Sequence, residues 1–236
     1  MKNLFKNSFQ LKETRCTVIT DRPLGFEIAE RSIRLHRQQL EQYIETHPKF
    51  SYTLEPFPAP EEPLVAKLMA KAAERANVGP MAAVAGVLAD LAVKDMVAKG
   101  CKVAVVEDGG EVSAVSDVPV DVALAAGEEE LSKKFGFRLT EFPIGVATSS
   151  GRFSHALSFG DAEAATVFCN NAGLADAAAT AVGNVVKGED INEAIQRGIH
   201  VGKSIAGADG VMILYKGCVG TWGKLPQIIR VDSTAK

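Results

Sequence analysis

A chain of 236 residues, 47% hydrophobic and 23% charged, has apolar material for one substantial core and is short for two well-filled ones. With a net charge of −3 and its Lys and Arg residues scattered, it has no basic stripe to attract phosphate backbones or anionic lipid, so nucleic acid and membrane surfaces are not expected as partners. The opening MKNLFKNSFQLKETR lacks the apolar run and cleavage site of a secretory signal, and no later span reads as membrane-crossing, so a cytoplasmic protein is expected.

In chain order, ETRCTVIT (13–20) alternates polar and β-branched residues like a half-buried strand. Leu24 to His47 reads as a long amphipathic helix that Pro48 ends. FPAPEEP (57–63) must be an extended connection; a helix through Leu64, Leu68, Ala72 and Ala76 follows, favoured at its start by Glu61 and Glu62. Gly79 and Pro80 break the chain before a further helix from Met81 to Gly100, whose small residues allow close packing. Lys102 to Glu107 and Glu111 to Ser116 form a hairpin about Gly109 and Gly110. Later strands are expected at 121–126, from Phe137 to Thr148, and at 165–169, 210–215 and 227–231, with helices at Glu128 to Phe135, Ala172 to Val186 and Asn192 to Ser204. Helices and strands mix without a strict βαβ rhythm, which predicts a layered α/β or α+β fold. The first 55 or so residues are too poor in core to fold alone, so they form a strand-helix extension of a single domain spanning 1–236.

Chemistry-bearing residues fall in separate segments. A helix beginning after Gly79 and Pro80 exposes backbone N–H groups suited to phosphate, although a sharp turn into a packing helix explains the same residues. In EDGGEV (107–112) the glycines permit close approach of a ligand, with Asp108 and Glu111 beside them; a plain hairpin turn explains them equally. Asp176 and Thr180 stand four apart on a predicted helix, on one face, a sparse oxygen pair of the kind magnesium takes while keeping water and substrate phosphate, although surface or N-terminal residues of an alanine-rich helix explain the same pair. His155 lies in a serine-rich loop, but no nucleophile elbow accompanies it, which argues against a hydrolase. Cys16, Cys101, Cys169 and Cys218 form no metal-binding spacing and read as buried thiols, with Cys218 between glycines the exception to watch.

The order of these pieces resembles that of ApbE-type flavin transferases: VAGVLAD ending at Asp90, then EDGGE, TSSGRFSH and ADAAATA. GPMAAVAG, TSSG followed by HALSFG, and LADAAATAVGN are similar to an uncharacterised cytoplasmic branch of that superfamily, over nearly the whole chain. The resemblance implies a T-fold-like layered domain of mixed sheets packed with helices, with a cleft for FAD or FMN. It implies magnesium held by Asp176 and Thr180 with a carbonyl near Ala82. Gly79, Gly109 and Gly110 would line the nucleotide, Thr148, Ser149, Gly151 and His155 would close over it, and Asp176 and His155 would act in catalysis. In that family FMN passes to a threonine or serine of an acceptor protein and AMP leaves. The chain departs from the pattern at Ala85, where the family has lysine, at Val87, where an aromatic is common, and at Asp108 and Glu111, which replace asparagine and aspartate. Two alternatives follow: a sulfur-assimilation (homocysteine-related) factor of anaerobes using Cys218, or a binding protein without catalysis. A homodimer is the default assembly.

Overall fold

The computed structural model describes residues 4–12, 14–123, 135–151 and 160–230. Its sheet begins earlier than the sequence predicts: β1 (Phe5–Leu11) pairs antiparallel with β2 (Thr14–Thr20). β1 lies at the sheet's edge, mostly exposed, and so carries no buried alternation by which a sequence reading could find it. α1 (Leu24–Thr46) follows as predicted, burying Ala29, Ile33 and Leu40. Pro48 closes α1 and also opens a one-turn helix, α2 (Lys49–Tyr52), that plants Phe50 in the core. A proline suits the start of a helix because its missing N–H would find no partner there. α3 (Leu64–Ala76) ends at Asn77, whose φ of 54° is the left-handed conformation of a helix stop.

The segment predicted as one helix from Met81 is two, a 3-10 turn at Pro80–Ala83 and then α4 (Val84–Ala98). β3 (Val103–Asp108) and β4 (Glu111–Ser116) form the predicted hairpin, with Asp108 opposite Glu111. Gly109 and Gly110 both have positive φ, 68° and 117°, the turn whose twist matches that of the strands.

β5 (Val120–Ala123) overlaps the strand expected at 121–126, the remainder of which lies outside the described residues. The same holds for the helix predicted at 128–135, except that Phe135 opens β6 (Phe135–Leu139). The run predicted as one strand from Phe137 to Thr148 is divided around Pro143 between β6 and β7 (Ile144–Ser149), which belong to different sheets. β8 (Ala164–Cys169), α5 (Ala172–Val185), α6 (Ile191–Ser204) and β9 (Ala208–Tyr215) match their predicted places closely. β10 (Cys218–Gly223) is an unpredicted edge strand, reached through a turn at Lys216 and Gly217 with φ of 49° and 74°, and its Gly220 and Gly223 pair with Ile213 and Gly210 of β9. β11 (Gln227–Arg230) ends the described chain.

The eight-stranded sheet runs β1-β2-β3-β4-β7-β8-β9-β10, and the three-stranded sheet runs β11-β6-β5. Every described pairing is antiparallel. The helices cover one face of the large sheet through Val18, Ile33, Val106, Val167, Leu174 and Val182. On the other face Val103, Val105, Val146 and Phe168 pack against Phe137 and Leu139 of the small sheet. β8, covered on both faces, is buried along its whole length. The architecture is thus a layered α+β fold. The N-terminal strands extend the same sheet, since β2 pairs with β3, and α1 packs on α4 through Ile33, Ala92 and Met96. No single helix among the described residues is long and apolar enough to cross a membrane.

Candidate functional site

α4 and α5 cross over β4 on the helical face of the large sheet. Their contact is close because glycines stand at it: a Cβ on Gly86 would lie 2.2 Å from the carbonyl oxygen of Ala172, and one on Gly173 would lie 2.5 Å from Val87 Cγ2. At this crossing each helix receives a carboxylate from the other. Asp176 of α5 accepts the N–H of Gly86 at 3.0 Å and also that of Ala85. Asp90 of α4 accepts the N–H groups of Ala172 and Gly173 at 2.9 and 2.8 Å. The first-turn amides that a free helix end would offer to phosphate are therefore taken: at α4 by Asp176, and at α5 by Asp90 and by Asn171, whose side chain accepts from Leu174 N–H at 2.8 Å. Where the sequence places the start of the 81–100 helix and its phosphate site, after Gly79 and Pro80, the chain makes the 3-10 turn with Ala82 N–H on Gly79 O, and the α4 amides beyond it seat Asp176.

Asp176 keeps partial access to solvent, as does Thr180 one turn further along α5. The hairpin brings two more carboxylates to this face. β3 and β4 alternate so that Asp108, Glu111 and Ser113 point toward the helices while Val105 and Val112 point away. Ser113 donates to Asp90 at 2.7 Å. Asp108 is buried, hydrogen-bonded by the Cys16 thiol and the Arg15 N–H, and burial pushes its carboxyl up to about 7. Asp176 is also raised to about 7, first by burial and then by Asp108 and Asp90, against the lowering effect of the two amides it accepts. Glu111 is driven well above the ordinary carboxylate range by burial and by the charges of Asp176 and Asp108. The charges that act most strongly on Asp176 and Glu111 are thus other carboxylates, with no Lys or Arg among them.

A hard divalent cation fits this donor set. Oxygen atoms of Asp176, Thr180 and Glu111 are the right chemistry, and the repulsion that adds to burial in raising the two carboxyls is what such an ion would relieve. Among the described residues no three Asp, Glu, His or Cys side chains form a group that could hold a metal ion by themselves.

The other sequence-derived residues are distributed around this centre. Gly79 is buried, with Thr53 O only 1.9 Å from where its Cβ would be, so its lack of a side chain serves packing. Ala82 sits half-buried in the 3-10 turn, its N–H bonded to Gly79 O at 3.1 Å. Gly109 is exposed at the tip of the hairpin, and Gly110 lines a cleft of about 210 Å³ with Val105, Val112 and Val122 between the two sheets. Ser149 faces α5, its Oγ 3.1 Å from a Cβ built on Gly183, whereas Thr148 faces the opposite way and meets Thr166 Oγ1 at 2.9 Å. Alternation along β7 separates these neighbours. Gly151 binds Ala162 O through its N–H at 2.9 Å. His155 lies outside the described residues. A separate cleft of about 360 Å³, lined by Thr140, Phe142, Phe168, Cys169, Asp209 and Lys224, contains none of the singled-out residues. Cys16, Cys101 and Cys169 are buried as expected, and Cys218 is exposed. Sequence reasoning passed over Asp90 and Ser113 as site residues, because their partners are backbone amides and a neighbouring helix that no local pattern announces.

The fold is that of ApbE proteins. The flavinyl transferase ApbE of Pseudomonas stutzeri superimposes with a TM-score of 0.59 at 15% identity, covering 94% of each chain. The ApbE protein of Thermotoga maritima gives 0.53 at 11% identity over 98% of each chain, and the flavin transferase ApbE of Vibrio cholerae 0.51 at 11% over 94% of this chain and 97% of that one. Within that class, a family model described as AbpE bacteria matches residues 7–201, and the chain belongs to this family. The UPF0280 protein of Methanosarcina acetivorans is 41% identical over 231 residues, 96% of this chain and 90% of that protein. Its counterpart in Methanococcus vannielii is 39% identical over 234 residues, 97% and 94% of the two chains.

Proposed function

We propose that the protein binds FAD or a related flavin nucleotide with the help of magnesium at Asp176 and Thr180, and transfers its FMN portion to a hydroxyl of an acceptor protein in the cytoplasm. The observation that carries this reading is the placement of Asp176 and Thr180 one turn apart on α5, both partly open to solvent beside the α4–α5 crossing, with Glu111 of the hairpin on the same face of the sheet, where the charge of Asp176 acts on it. Magnesium, when bound, supplies the positive charge that lets a pyrophosphate approach these carboxylates and that stabilises charge developing on its oxygens. Asp176 and Thr180 would hold the ion from one helical face, and Glu111 would add charge from the hairpin. Gly109 and Gly110 leave room for the nucleotide at the turn. In the transfer, the acceptor oxygen would form a bond to the FMN phosphorus as the phosphoanhydride bond breaks, AMP would leave, and the hydroxyl proton would pass to a side chain of the site, with Asp176 and His155 as the proposed catalytic groups.

A second reading, flavin binding without transfer, is favoured by Ala85 and Val87. Ala85 provides no cation for phosphate, and Val87 is buried against Gly173, where an aromatic side chain would not fit without parting the helices. Incubation with FAD, magnesium and candidate acceptor proteins, followed by chromatography for AMP and by mass spectrometry for an added FMN, separates the two. AMP release with flavinylated acceptor supports transfer; tight magnesium-dependent binding with neither product supports the second reading. For the sulfur-handling alternative, the exposed thiol of Cys218 is the available group, and alkylation of Cys218 without effect on function would count against it.

A further inference from the structure

α5 already has a helix cap of its own, the side chain of Asn171 on Leu174 N–H. Asp90 adds two further bonds from a different helix, one carboxylate oxygen to each of Ala172 and Gly173, and is itself fixed by Ser113 Oγ on β4. The result ties three elements at one carboxylate, directly beneath the first turn of the helix that carries Asp176. Asp176 in turn holds the first turn of α4, the helix that carries Asp90. With Gly86 against Ala172 O and Gly173 against Val87, the helices have no slack at the crossing, and a shift of either first turn moves the carboxylate seated on the other.

We infer that Asp90 is the positioning residue of the site: through the first turn of α5 it sets where Asp176 and Thr180 stand, and Ser113 sets Asp90. Its functional meaning rests on the reading of Asp176 and Thr180 as magnesium ligands, while the mechanical link to Asp176 can be tested without any metal. In Asp90→Asn the amide has one acceptor oxygen, so one of the Ala172 and Gly173 N–H groups faces an NH2 donor in place of an acceptor.

The test is amide hydrogen exchange, resolved by NMR in the metal-free full chain, together with magnesium titration by calorimetry at a temperature well below unfolding. Asp90→Asn is expected to speed exchange at least tenfold at Gly86, whose N–H is bonded to Asp176 and not to Asp90, besides Ala172 and Gly173. Magnesium affinity should fall at least tenfold, and Ser113→Ala should shift both in the same direction by less. Faster exchange at Ala172 and Gly173 alone, with Gly86 protection and magnesium affinity like the parent's, would reduce Asp90 to a local helix cap and overturn the inference. If the parent itself bound no magnesium, the metal reading would fall, and Gly86 exchange would still decide the positioning role. If Asp90→Asn did not fold, the same exchange measurement on Ser113→Ala would decide it.

Discussion

Gly86→Ala sets two physical effects against each other, and the structure says which wins. Gly86 lies inside α4, where alanine is favoured over glycine by about 1 kcal/mol in helix propensity, so judged locally the substitution should stabilise. The added Cβ, however, would lie 2.2 Å from Ala172 O and 2.5 Å from Ala172 C, backbone atoms that cannot swing aside. Relief requires parting α4 from α5; such overpacking typically costs about 1–3 kcal/mol. Parting them also stretches the Asp176 bond to Gly86 and the Asp90 bonds to Ala172 and Gly173, capping contacts whose loss is on the order of 1 kcal/mol each. The net expectation is a loss of about 3–5 kcal/mol, which with a urea slope of about 2 kcal/mol/M lowers the unfolding midpoint by about 1.5–2.5 M. Urea titrations of parent and variant in parallel measure it. A variant as stable as the parent, or more stable, would refute the close crossing.

The acidic site gives a signed pH dependence. Asp108 and Asp176 hold their protons up to about 7 in the folded protein but release them near the ordinary value when unfolded, so their contribution is fully present below that ordinary value and is lost as pH rises through 7. In EDTA, melting at pH 8 should therefore occur below that at pH 5.5, and magnesium should restore stability mainly at pH 8; equal melting at both would contradict the burial of these carboxylates. Glu111→Gln should raise metal-free stability at pH 8 by removing one like charge and weaken magnesium binding severalfold, read by melting and calorimetry on the same samples. Ala85→Lys, at a half-exposed position beside Asp176, should tighten ADP binding severalfold, as an equilibrium titration would show; unchanged affinity would place the phosphates elsewhere.

The sequence made the local parts of this molecule readable. The two-glycine hairpin, the long α1 and the Asp176–Thr180 face each follow from period, turn chemistry or helical spacing, which depend only on neighbours in the chain. What it hid depends on other parts of the fold. β1 and β10 are edge strands whose identity comes from pairing, not burial. The division of the 137–148 run turns on Pro143 and on which sheet each half joins. At the site, the spacing of Asp176 and Thr180 was visible, but Asp176's second duty as the cap of α4 was not, because its partners Ala85 and Gly86 are about 90 residues away in sequence and offer only backbone. Gly79 looked like a ligand-facing glycine for the same reason: nothing nearby in sequence signals the carbonyl of Thr53 pressed against it.

That double duty governs the choice of variant for the most direct test. Asp176→Asn leaves one acceptor oxygen for the two α4 amides while losing the charge a cation needs, so its fold is checked by circular dichroism on the titrated sample and metal binding is read only from folded protein. The measurement is titration of parent and Asp176→Asn with FAD, each with magnesium and with EDTA, following flavin fluorescence. The expected result is binding by the parent that requires magnesium, and none by a folded Asp176→Asn at the same concentrations; magnesium-independent binding of equal strength by both would contradict the metal-assisted site.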